Sequence, residues 1–470
     1  MKKRLLTALV LVLVASALVL AFAGCDETPE GVFSEGVVAA ENENGMWGYV
    51  NESGEEVIAF EFSSASPFKN GVALVERMTG SFLIDSGGAE IGGPYASAQR
   101  VADGDFYILE DRENSLQGVY DSKSKSMMCD FVYSRISFDE ETGVFSFTDE
   151  TRTGGFRQYA LADGTVTIAR MNEEDIAGAA GKWLFVKSTD QAGEIVYKAL
   201  DMTSGAENET VFEEFSETGG GFVLADNTYG EGGEIVSRKL WYATQAWLFG
   251  PFEKEVSLLS MSNDGSMLLM GRESADGDGQ IKPVYELYGK DGAVIYTGEE
   301  MPAAKGDFYY TESYASGKLT FEIYAGGAKT TLEVGDLPAG TTSAQTSEIK
   351  YFAEENAVCL TIDCLVTTGA GEQTQVKSES VERLIVAGNT CEIPSGYELV
   401  DVQSGKLVLR GETGRVGVFN ADGTAVTACL YSDVQVADGG YIVVRAGNAY
   451  GLLAPDGSSV LDFVYGGINV

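Results

Sequence analysis

The sequence predicts an all-β protein built from repeated three-stranded antiparallel meanders of about 40 residues, forming a β-propeller-like ring or rings or an open curved β-solenoid. Three observations carry this expectation. Glycine is abundant at 58 residues and proline scarce at 9, which suits strands joined by tight turns. Apolar residues make up 44% of the chain, enough for a packed core, so a largely disordered chain is excluded. Short apolar runs introduced by a glycine recur along the whole length, and self-similarity at a fixed period marks a repeat architecture.

The first element is not part of the array. Met1-Lys2-Lys3-Arg4 is a basic start, Leu5 to Gly24 is uncharged and apolar, and the small residues Ala23 and Gly24 precede Cys25. This is the layout of a secretory signal, and it resembles the bacterial lipoprotein type, in which cleavage falls before a cysteine that carries lipid on its thiol. The resemblance implies a signal peptide over 1–24, lipidation at Cys25 with a short tether over 25–35, and an extracytoplasmic chain anchored to the cell membrane. An uncleaved apolar anchor is the competing reading, because twenty such residues reach across a bilayer. Asp26 resembles the signal that keeps a Gram-negative lipoprotein in the inner membrane, facing the periplasm; in a Gram-positive cell the same chain sits on the outer face.

From Gly36 onward the repeat takes over. Strand-like runs begin at Gly36, Gly71, Gly104, Gly143, Gly181, Gly221, Gly265, Gly306, Asn356, Gly405 and Gly440. Each is followed by a turn and a second strand, as in WGYVNESG, FLIDSGG, GVFNADG and GLLAPDG, whose Gly-containing ends supply the positive φ of a hairpin turn. A third apolar run completes the unit. Side chains alternate between the faces of such strands, so each unit has two faces to cover and stacking on a neighbour is the natural solution. The Gly/Thr/Ser-rich stretch 335–347 is the best candidate for a boundary or inserted loop within the array over 36–470.

One stretch carries more than rhythm. Met46-Trp47-Gly48-Tyr49-Val50, Gly54, Phe68 and Gly71-Val72-Ala73-Leu74-Val75 resemble the WG repeat family, whose units pair a Trp-Gly strand with a later Phe-x-x-Gly strand. Val416-Gly417-Val418 and Tyr450-Gly451-Leu452 resemble it with Val and Tyr in place of Trp, and Gly417 and Gly451 lie 34 residues apart. Between about 150 and 400 only the strand rhythm is shared. The Trp-Gly pair reads as a packing device, in which Gly48 admits a neighbouring backbone and Trp47 fills space beside it.

Composition narrows the function. The formal charge of -39 becomes -42 when residues 1–24, with Lys2, Lys3 and Arg4, are removed, and such a balance excludes binding to a phosphate backbone, so no nucleic-acid partner is expected. The chain has no histidine, which removes Ser-His-Asp and Cys-His nucleophiles and zinc-protease helices. Five cysteines follow Cys25 without a CxxC, so they read as buried small hydrophobes rather than a disulfide framework or metal site. The acidic stretch Asp276-Gly277-Asp278-Gly279-Gln280 lacks the glycine and glutamate that complete a calcium loop. No enzyme activity, cofactor or metal is expected.

What remains is a binding scaffold. The segments 227–237, 272–282 and 366–380 occupy one position in the repeat and are longer than 412–414 or 447–448, so they are expected to project as loops from one rim and bind an envelope protein or cell-wall polymer. A carbohydrate-binding or carbohydrate-active lipoprotein is the second reading, with Tyr229 and Tyr314 as its stacking platforms. A structural spacer without a ligand is the third reading.

Overall fold

The computed structural model describes residues 32–470 apart from 151–154, 219–220, 254, 276, 291, 354, 370–374, 387 and 392. Within them the strands assemble into eleven antiparallel sheets, ten of four strands and one of three, which are the blades of a β-propeller. Helix is confined to short 3-10 turns such as Ala102–Gly104 and Glu173–Asp175.

Ten of the eleven blades have one strand more than the three-stranded meander expected from the sequence, and the sheet of Glu398–Gln403, Lys406–Arg410 and Val416–Phe419 has three. In the sheet Ser64–Ala65, Val72–Arg77, Gly80–Asp85 and Glu90–Tyr95, the strand led by Gly71 is second in order. In several sheets the first strand escapes notice because it continues from the last strand of the preceding sheet after a single residue. Glu56–Phe62 runs on into Ser64–Ala65, Ser126–Tyr133 into Arg135–Asp139, and Glu207–Phe212 into Glu214–Thr218. Gly and Pro are absent from these crossings, so an extended run that serves two sheets reads as one strand. The crossing residue is tied down by its backbone: Ser63 N–H donates to Glu76 O at 2.8 Å, Ser134 to Thr148 O at 2.9 Å and Glu213 to Ala225 O at 2.9 Å.

Apart from Gly36, whose sheet takes its first strand from the C-terminal segment, the residue that opens each repeat lies at the turn between first and second strands. All eleven positions, Asn356 among them, have positive φ, the region glycine enters freely and asparagine tolerates. At Asn70 and Gly71 the φ values are 54° and 73°, and Lys69 and Val72 exchange backbone hydrogen bonds of 2.8 and 2.9 Å. That is the two-residue turn whose twist matches paired strands.

The chain divides into two compact units. One comprises residues 80–82 and 92–393 and holds seven complete sheets, from the strand Ser97–Val101 through Asn389–Cys391. Its core consists of apolar layers between consecutive sheets; Phe308, Leu319, Phe321 and Ile323, for example, pack against Val358, Leu360, Ile362 and Cys364. The expected boundary at 335–347 is instead occupied from Thr341 by the twelve-residue strand Thr341–Phe352, which pairs with Ala357–Thr368. The units divide after Ile393.

The other unit, residues up to 79, 83–91 and 394–470, joins the two ends of the described chain. Its sheet of Gly467–Asn469, Val38–Glu41, Trp47–Val50 and Glu56–Phe62 takes its first strand from the C-terminal segment. Ala39, Ala40 and Glu41 face Asn469, Ile468 and Gly467 in antiparallel register. Ile468 is buried there with Val38, Ala40, Val50, Val443, Leu452 and Leu461, the last three from the neighbouring sheet of Asp433–Val436, Ile442–Ala446, Ala449–Leu453 and Ser459–Tyr465.

Candidate functional site

The Trp-Gly pair lies where one strand is pressed by an irregular neighbour. Trp47 faces Phe62 and Tyr49 faces Ile58, so a two-residue step on this strand meets a four-residue step on the next, a bulge over Gly48. A Cβ on Gly48 would lie 2.8 Å from Ile58 O and 2.9 Å from Phe60 N. Gly451 sits under the same irregularity, between the pairs Tyr450 with Tyr465 and Leu452 with Leu461. At Gly417 a Cβ would meet Ala428 O at 2.8 Å. The glycine is therefore demanded by the backbone above it. Tyr49 completes the motif: its ring is 4.7 Å from that of Phe68, and its hydroxyl donates to Ser66 O at 2.8 Å.

The aromatic residue before the glycine has a different fate. Trp47 and Tyr450 are half-buried and line one cleft of about 350 Å³ between the two neighbouring sheets just described, within a single compact unit. Val416, at the same repeat position, is buried in the adjoining core instead. Glu41, Asp433, Gln435 and Asn469 provide the polar part of the lining.

Several of these side chains are held by their neighbours. Glu41 ends one strand and Trp47 opens the next, and the turn between them is fixed by Asn42, whose Oδ1 accepts from Asn44 N–H at 2.9 Å and Met46 N–H at 3.1 Å. Trp47 then lies over Gly467, where a Cβ would come within 3.2 Å of its Cη2. Asp433 and Gln435 point outward from a strand whose alternate residues, Val434 and Val436, are buried in the core. Asn469 is anchored by donation from Nδ2 to Ala65 O at 3.1 Å. The Arg445 guanidinium stands 5.5 Å from the Tyr450 ring centroid, a cation–π contact on that ring. No lysine or arginine is among the described residues that line the cleft.

The rim expected from sequence takes another form. The segments 227–237, 272–282 and 366–380 are largely strand: Gly221–Tyr229 pairs with Ile235–Ala243, Leu268–Ala275 with Ile281–Tyr288, and Ala357–Thr368 with Gln375–Val386. They lengthen hairpins rather than form loops, because their residues alternate and pair in register. Tyr229 is exposed near one hairpin tip and its hydroxyl donates to Glu213 at 3.0 Å, a bond that also pushes the phenol pKa up. Tyr314 is not a free platform: it packs against the core cluster of Phe308 and Leu319, and its hydroxyl donates to Thr341 O at 2.8 Å. These two tyrosines stand on different sheets, with the sheet of Ser257–Gly298 between them in chain order.

The thiols of Cys129, Cys359, Cys364, Cys391 and Cys429 are free. Burial pushes the Cys129 and Cys359 thiols up to about 11, the opposite of an activated nucleophile. Among the described residues no three acidic, cysteine or histidine side chains are grouped to hold a metal ion, and Asp276 of the acidic stretch lies outside them. Cys25 and the apolar segment before it also lie outside the described residues, within which no helix is long and apolar enough to cross a membrane.

A family described as WG containing repeat matches residues 47–77, the stretch that runs from Trp47 through the Gly71 turn. No curated protein matches the chain. Among solved structures, a eukaryotic initiation factor is 12% identical over 73% of this chain and 97% of its own, with a TM-score of 0.27. TolB from Acinetobacter baumannii is 12% identical over 68% of each chain, with a TM-score of 0.18. The β-propeller domain of the Trilobed protease from Pyrococcus furiosus is 12% identical over 58% of this chain and 93% of its own, with a TM-score of 0.19. Similarities at these scores carry no argument about function.

Proposed function

We propose that this chain, a β-propeller carrying a WG repeat, is a non-catalytic scaffold that captures a cell-wall polymer or an envelope protein outside the cytoplasm. The observation that supports this reading is the cleft at Trp47 and Tyr450. It is concave, it combines aromatic faces with a few polar groups, and it is built on two packed sheets, which is the usual make-up of a binding site. The thiols with raised pKa values and the histidine-free sequence favour binding over chemistry.

The test uses soluble residues 26–470 sedimented with insoluble envelope material. Saturable depletion from solution is expected, with Trp47→Ala and Tyr450→Ala each weakening it about tenfold, the order of ~1.4 kcal/mol for loss of one well-packed aromatic contact. Depletion that survives both changes and is lost on trimming the hairpin tip 230–234 would move the site to the rim. No saturable depletion at all would leave a structural spacer.

Attachment is proposed to run through lipid on Cys25. In the full chain, Cys25→Ser is expected to shift the protein from the membrane fraction to the lipid-free fraction, because dual acyl chains are what make such anchoring stable. Retention of the variant in the membrane would identify the apolar segment 5–24 as an uncleaved anchor.

A further inference from the structure

The geometry points to a saccharide subsite in the Trp47–Tyr450 cleft, one that accepts a sugar ring bearing hydroxyl or amino groups and rejects a ring bearing an acidic group. This rests on the reading of the cleft as the capture site and adds the chemical class of what it captures.

Four features converge on that class. First, the aromatics at the position before the repeat glycine in two neighbouring sheets line the same cleft, whereas Val416 at that position is buried in core. A pyranose offers a flat patch of C–H groups on its ring face, and such a patch is complementary to the electron-rich face of an aromatic ring. Second, Glu41, Asp433, Gln435 and Asn469 border the cleft with carboxylates and amides. Planar groups of this kind satisfy adjacent hydroxyls in pairs, as acceptors and donors together. Third, the two carboxylates that line the cleft outnumber the one guanidinium beside it, Arg445, which stands over the Tyr450 ring and faces Asp433 in strand register, so the local field stays negative in a chain whose formal charge is -39. An ammonium on the sugar gains a charge-assisted bond there, and a carboxylate or phosphate on the ligand meets repulsion. Fourth, the cleft holds about 350 Å³, the scale of a small-ligand pocket and short of that needed to engulf a protein surface.

The floor of the cleft is also shaped for the aromatic residue. Gly466 and Gly467 leave room that a side chain would fill, since a Cβ at Gly466 would sit 2.8 Å from a carboxylate oxygen of Glu41 and one at Gly467 would touch the Trp47 ring at 3.2 Å. The two glycines thus seat the two residues that would contact the ring face and its amino or hydroxyl groups.

The experiment titrates soluble residues 26–470 with defined tetrasaccharides of glucosamine, glucose and galacturonic acid, read by calorimetry and by saturation-transfer NMR. The glucosamine tetramer is expected to bind tightest, glucose about tenfold more weakly, and galacturonic acid more weakly still. Trp47→Ala is expected to cost about tenfold for both glucosamine and glucose, and Trp47→Phe to restore most of it, which separates loss of a ring face from loss of fold. Glu41→Gln with Asp433→Asn is expected to bring the glucosamine and glucose affinities together, with glucose binding kept.

Several results would overturn the inference. Equal binding of the galacturonic acid tetramer, or tetrasaccharide binding indifferent to Trp47→Ala, would do so. So would a lysine tetrapeptide binding as tightly as the glucosamine tetramer with the same dependence on Trp47, since the cleft would then read charge and not a sugar ring. If envelope material is captured in a Trp47-dependent way and none of the saccharides competes, the scaffold reading stands and the saccharide subsite falls.

Discussion

Deleting residues 467–470 is expected to release the strand Val38–Glu41 and to lower the urea midpoint of residues 26–470. Ala39, Ala40 and Glu41 face Asn469, Ile468 and Gly467, and this pairing completes a sheet that would otherwise end at Val38–Glu41. Ile468 is 8% exposed and packs with Val38, Ala40 and Val443, so its loss alone should cost about 2–4 kcal/mol as a cavity in a packed core. The lost backbone bonds add about 1 kcal/mol each. Hydrogen exchange provides the local check, with faster exchange expected at Val38–Glu41 and little change in the strand Thr341–Phe352, which belongs to the other compact unit. An unchanged midpoint, with Val38–Glu41 still protected, would mean that the pairing does not contribute to stability. The conservative companion, Ile468→Val, should cost only about 1 kcal/mol and keep the strand protected.

Gly48→Ala is expected to be nearly as damaging despite adding one carbon. Its Cβ would lie 2.8 Å from Ile58 O, 2.9 Å from Phe60 N and 3.0 Å from Ala59 C, all of them main-chain atoms. Main chain in a paired strand cannot rotate out of the way as a side chain can, so the bulge must lift and its hydrogen bonds lengthen. A loss of about 2–3 kcal/mol is expected from such overpacking. Gly417→Ala, with Ala428 O at 2.8 Å, should behave alike, while Gly277→Ala, where nothing lies within 4 Å, should stay within about 0.5 kcal/mol of the parent. Equal midpoints for the Gly48 and Gly277 variants would show that the bulge is soft.

Much of this fold is legible in the chain of letters because its punctuation is physical. Eleven positions were marked by a glycine, or once by Asn356, and all eleven adopt positive φ. The first strand of several blades is hidden in the sequence for an equally physical reason. At Phe62, Ser63 and Ser64 the chain leaves one sheet and enters the next, and none of the three residues has the positive φ that would call for glycine. The turn at Asn70-Gly71 did hold the missing signal, since a tight two-residue turn implies a strand on both sides of it. In the hairpins over 227–237 and 272–282, glycine and charge at the tips mask the alternation beneath, which pairing in register satisfies.

The candidate site was the least legible part. Trp47 and Tyr450 are about four hundred residues apart in sequence, and the letters beside them, Gly48 and Gly451, speak only of the close backbone approach at each position. By itself the sequence determined the glycine-led strands, their turns and the repeat, because these follow from side-chain alternation and the backbone freedom of glycine over a few residues. Only the tertiary structure decided that the segment 467–469 completes the sheet begun at Val38, and so that Glu41, Trp47, Asp433 and Tyr450 border one cleft. Strand pairing is satisfied by any backbone edge of suitable register, so local sequence cannot name the partner; burial of Ile468 among Val38, Ala40 and Val443 selects it.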